Sequence, residues 1–185
     1  MAITRLNNNS ITSITALPSG IVTGKVLQVV SDQELSAYSF AYTSPNIVTL
    51  PNISLNITPS YATSKILLMA RVNYEISVGQ HGDMLWQILR GGSQFQANTE
   101  TLGSRRKGHM QGSMGSPNEN IDSTPESVSF SLLDTTHNST SQLTYTLGYS
   151  SAGSHTVYVN RTVGNTNSAS YELGTTELIA MEIAP

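Results

Sequence analysis

Apolar and polar residues alternate with period two along most of this chain, which places successive side chains on opposite faces of a strand. The clearest run is KILLMARVNYEI, residues 65–76, where Ile66, Leu68, Ala70, Val72, Tyr74 and Ile76 share one face. The other face carries Leu67, Met69, Arg71, Asn73 and Glu75, so it begins apolar and becomes polar. This strand should start between two layers and end half exposed. Similar runs predict strands at 25–30, 36–42, 47–50, 53–57, 84–90, 127–133, 142–149, 156–162 and 176–183.

Gly, Pro, Asn and Ser separate these runs, and no segment holds a 3.6-residue period. TPSYATSK (58–65) offers one helical turn at most. About ten short strands of this kind predict an all-β sandwich or barrel of antiparallel strands rather than βαβ units. Residues 91–126 break the alternation and are rich in Gly, Ser and Asn. They should hold a weak strand or two and a long exposed loop, and loops of that length serve a function or meet a neighbour.

The first residues, MAITRLNNNSITSITALPSG, follow neither period. Ile3, Leu6, Ile11, Ile14 and Leu17 are separated by Asn7, Asn8, Asn9 and by Ser and Thr. Alone, such a segment buries too little apolar surface to offset its ordering entropy. It is either a disordered tail or an attachment arm that orders when laid on a partner, its Ile and Leu side chains acting as pegs. We divide the chain into an extended arm, residues 1–24, and a β domain, residues 25–185.

Composition sharpens this picture. Charged residues make up 11% of the 185, against a usual share of about 25%. Ser, Thr and Asn together supply about a third, well above ordinary usage. Such a surface is well hydrated but loses little on contact, since few charges need desolvating, and it suits packing against copies or a larger assembly. A net charge of −3 argues against a nucleic-acid partner, which calls for a basic stripe. There is no cysteine, hence no disulfide, thiolate nucleophile or Cys-based zinc site. No run approaches the ~20 apolar residues of a membrane span, and the first residues lack a signal-peptide core, so neither membrane insertion nor export is expected.

Candidate chemistry is sparse. Asp32, Glu34, Asp83, Glu119, Asp122 and Asp134 fall mostly in turns, where such side chains cap backbone amides. Nothing in their spacing sets up a carboxylate pair, so neither catalysis nor a cofactor is expected. His81, His109, His137 and His155 sit beside turn residues without metal-ligand spacing and read as solvated. SRRKGH makes Arg105, Arg106, Lys107 and His109 the only basic cluster. It is either a solvated loop or a contact for an anionic partner, such as a glycan, a phosphate or an acidic protein patch. Trp86 alternates with Ile88 and should pack in the core.

The succession SKILLMARVNYEIS, WQILRGG, SVSFSLLDTT, LTYTLGYSSAGSHTVYVNR and TTELIAMEI resembles the jelly-roll domains of the tumour-necrosis-factor and complement type. With LNNNS and TALPSG at its start, the chain is similar to small virion structural proteins of tailed bacteriophages. That resemblance implies an antiparallel jelly-roll sandwich whose last strand is central, packed as a homotrimer about a threefold axis. It implies a place on the virion surface after assembly in the bacterial cytoplasm, with other virion proteins as partners. Two roles are compatible with it. One is a capsid decoration, cement or head-fibre protein held by its arm. The other is a tail-fibre or tail-tip module that recognises host surface glycan. On such a trimer Tyr145, Tyr149 and Tyr158 suit a subunit contact, or else they serve as core and cross-strand pairs.

Overall fold

The computed structural model describes residues 25–77, 83–112, 123, 125–164 and 167–185. The arm, with Ile3, Leu6, Asn7, Asn8, Asn9, Ile11, Ile14 and Leu17, lies outside them, as do His81, Glu119 and Asp122. The described chain forms β1 (Val26–Glu34), β2 (Tyr38–Tyr42), β3 (Val48–Ile57), β4 (Lys65–Ile76), β5 (Met84–Arg90) and β6 (Ser93–Gln94). It continues with β7 (Met110–Gly112), β8 (Glu126–Asp134), β9 (Leu143–Ser150), β10 (His155–Val159) and β11 (Thr176–Ile183).

All pairings between these strands are antiparallel, in two sheets. In the first, β1, β11, β4 and β8 lie side by side, and β10 and β2 extend the sheet from the end of β4. In the second, the order is β3, β9, β5, with β6 and β7 sharing the far edge of β5. The chain crosses between sheets six times, from β2 to β3, β3 to β4, β4 to β5, β7 to β8, β8 to β9 and β9 to β10. First and last strands are neighbours. This is a jelly-roll sandwich, and the last strand is interior to its sheet.

The expected inner face of β4 holds: Ile66, Leu68, Val72, Tyr74 and Ile76 are all buried against β5 and β9 residues such as Trp86, Ile88 and Leu147. The stretches at 47–50 and 53–57 are one strand with an irregularity between Thr49 and Ser54. Pro51 has no N–H to give the ladder there, and Asn52 takes φ 62°. Both are tolerable because β3 is an edge strand. Residues 58–64 form a turn closed by Ser64 N–H donating to the Tyr61 carbonyl, without a helix.

Buried carboxylates hold one end of the sandwich. Ile66 pairs with Glu182 on one side and Asp134 on the other. Asp134 accepts from Arg90 at 2.7 and 2.9 Å, from the Tyr145 hydroxyl at 2.7 Å and from the Thr136 amide at 2.8 Å. Glu182 accepts from Ser60 N, Ser60 Oγ, Ser64 Oγ and Gln28 Nε2. Burial raises both acids, but these donors outweigh it and hold both carboxyls below their ordinary range. Each carboxylate is thus committed to joining strands and turns.

Candidate functional site

The outer faces of the two sheets differ. On the second sheet, Gln87 and Leu89 point away from the core, paired with Gly148 and Thr146. They are nonetheless buried, because the chain between β6 and β7 folds back over them. Gln94 Nε2 ties this cover down by donating to Gln87 Oε1 and to the Lys107 carbonyl, both at 2.7 Å.

His109 is the main brace of that cover. β7 pairs with β5 through Trp86 and β6 begins at Leu89, which leaves a gap in the ladder at Ile88. The imidazole fills it: Ile88 N–H donates to Nδ1 at 3.0 Å, so Nε2 carries the proton and donates to the Phe95 carbonyl at 2.8 Å. Burial lowers its pKa, with the Phe95 bond a smaller opposing effect. A proton on Nδ1 would set two donors face to face, so the fold holds His109 neutral.

Between the cover and the sheet lies a cleft of about 610 Å³. Arg105, Arg106 and Lys107 line it together with Leu85, Leu102 and Met110. Arg106 Nη2 donates to the Asp83 carbonyl, which fixes its guanidinium. Arg105 is exposed and Lys107 half-buried. Among the described residues none of the three forms an ion pair, although Glu100 also lines the cleft. The structure therefore gathers the basic cluster, but His109 enters as a neutral brace.

The first sheet has no such cover among the described residues. Its outer face carries three registered rows across β1, β11, β4 and β8. The first is Val29, Met181, Leu67 and Leu133; the second is Ser31, Ile179, Met69 and Ser131. The third is Gln33, Glu177, Arg71 and Ser129. Val29 is 54% exposed and Leu133 38%, and the central side chains are half-buried. Arg71 and Glu177 face one another at 4.0 Å. The expectation that β4 starts between two layers is thus corrected. Among the described residues, Leu67 and Met69 have strand neighbours but no second layer.

Two of the three tyrosines proposed as subunit contacts are also corrected. Tyr145 and Tyr149 have 0% exposure. Tyr145 points inward to Asp134, and Tyr149 packs edge-on against Tyr42 and Trp86, its ring centroids 5.1 and 4.8 Å from theirs. Alternation put both on the inner face of β9, and the hydroxyl of each is satisfied within the chain. Tyr158 is half-buried, with the Arg161 guanidinium 4.6 Å from its ring centroid. Trp86 is fully buried, as its alternation predicted.

The histidines in described segments are not solvated. Beside His109, His137 bonds the Ser64 carbonyl at 2.7 Å, and His155 Nε2 lies 2.6 Å from the Tyr149 hydroxyl. His109 thus fastens the cover to β5, His137 joins the loop after β8 to the turn before β4, and His155 links the start of β10 to β9, partners that flanking turn residues could not reveal. Asp134 and Arg90, 44 positions apart, were likewise missed as a pair. Among the described residues no group of three acidic or imidazole side chains could hold a metal ion, and no helix is long and apolar enough to cross a membrane.

No protein-family model and no curated protein sequence matches the chain. Solved structures that match include the Gt strain of infectious bursal disease virus, at 14% identity and a TM-score of 0.40 over 85% of this chain and 38% of that one. The VP2 subviral particle of the same virus matches at 14% identity and a TM-score of 0.37, over 85% of this chain and 41% of that one. The chain thus spans less than half the length of either. A likeness this loose carries no inference about function. The jelly-roll assignment rests on the strand order itself.

Proposed function

We propose that the protein is a non-enzymatic structural subunit of a tailed-bacteriophage virion, a homotrimeric decoration, cement or head-fibre protein anchored by residues 1–24. The observation that carries this reading is the apolar row Val29, Met181, Leu67 and Leu133 on the outer face of the first sheet. The other sheet supplies its own cover, whereas this face is bare among the described residues and calls for a second copy of the chain. The rows beside it favour a copy over an unrelated partner. Arg71 and Glu177 offer both signs of charge side by side, which a rotated copy can complement. The bacteriophage assignment is supported by the resemblance of the N-terminal segment, whose spaced Ile and Leu residues suit an anchor.

A second reading, a tail module that recognises host glycan, is favoured by the net positive cleft over the other sheet. Labelling on purified particles separates the two. Many copies spread over the head support the decoration role, and a few copies at the tail support the second. Absence from purified particles overturns both.

A further inference from the structure

We propose that the cleft beneath the 98–111 segment binds an acidic saccharide. Three of the nine Lys and Arg residues of the chain converge there without ion-pair partners among the described residues. In a protein of net charge −3 this is a local excess of positive charge, three cations against the one lining carboxylate of Glu100. A volume of about 610 Å³ falls within the range of small-molecule sites, about 300–1,000 Å³, and admits one or two sugar rings.

The remaining lining gives the ligand its second property. Leu102 and Met110 are 57% and 39% exposed beside the cationic groups, an apolar strip that suits the C–H face of a sugar ring. Asn98, Glu100 and Gln111 add side chains that bond hydroxyls. A bare inorganic anion would leave that strip and those groups unused. A neutral sugar would leave the charges unanswered. The site is also held in place before any ligand arrives, because His109, Gln94 and Arg106 fasten its walls to β5 and Asp83. Rigid walls reduce the ordering cost of binding.

The inference does not depend on head or tail placement. Its test uses the full chain and three probes at millimolar concentration: galacturonic acid, galactose and inorganic sulfate, followed by amide chemical-shift changes. Galacturonic acid should bind and shift the amides of residues 98–111, with galactose and sulfate each at least about fivefold weaker, the scale of one exposed charge-assisted contact. Arg105→Ala and Lys107→Ala should each weaken galacturonic acid by about the same factor, while Leu102→Ser should weaken it without altering sulfate. All three side chains lie outside the core, and an unchanged melting temperature confirms each variant as folded. Equal binding of galactose overturns the anionic requirement. Equal binding of sulfate overturns the saccharide. No shift with any probe overturns the site.

Discussion

Replacing Val29 and Leu133 with Ser tests whether the outer face of the first sheet is a subunit contact. Their exposures of 54% and 38% amount to nearly one complete apolar side chain still open to water in each protomer. Full burial of one such side chain contributes roughly 1.5–3 kcal/mol, so three protomers lose roughly 4–7 kcal/mol of trimer stability after allowing for side-chain ordering. That corresponds to three to five decades in the trimer dissociation constant, at about 1.4 kcal/mol per decade. Sedimentation equilibrium should show the parent protein at three times its 19.9 kDa monomer mass, and the double variant as a monomer at the same micromolar concentration. Leu102→Ser, at a residue 57% exposed in the cover over the other sheet, serves as the control and should leave the mass unchanged. The monomeric variant should keep its β signature, because neither residue belongs to the core. A parent protein that stays monomeric refutes the argument. So does a double variant that associates as tightly as the parent.

Two further outcomes rest on the geometry of buried groups and a third on the sequence of the arm. Arg90→Met leaves the buried Asp134 carboxylate with only Tyr145 and Thr136 as donors, and should cost about 2–4 kcal/mol, a fall in melting temperature of roughly 5–15 °C. Because Asp134 has a depressed pKa when folded, its contribution is complete above about pH 4 and is lost as pH falls through the folded value, so parent and variant should converge in strong acid. His109 also has a lowered folded pKa. Its contribution is complete above about pH 6.5 and is lost as pH falls, so the protection factor of the Ile88 amide should fall below that point in the parent but not in His109→Gln. Deleting residues 1–20 should abolish loading onto particles, and changing Ile11 and Ile14 to Ser should reduce it strongly without lowering the melting temperature; a truncated protein that still loads makes the arm a passive tail.

Much of this architecture is legible in the sequence, because alternation is a local property. The runs at 84–90 and 176–183 coincide with β5 and β11, and the same alternation picks out the buried face of β4. It also marks Tyr145 and Tyr149 as inner-face residues, although their hydroxyls suit a surface equally well. Only the tertiary fold decides between these, by supplying Asp134 as a buried acceptor for Tyr145 and an aromatic cluster around Tyr149. The same holds for His109. Its neighbours read as a solvated loop, and nothing local announces that β6 and β7 leave one amide of β5 unpaired for an imidazole to fill. Arg90 and Asp134 meet only because β4 brings β8 beside it while β5 crosses to the other sheet. Leu67 and Met69 show the converse. Alternation alone shows β4 to be apolar on both faces at its start; strand order decides which of them meets the second sheet, and among the described residues the other stays open, because a sandwich buries only the two faces that meet.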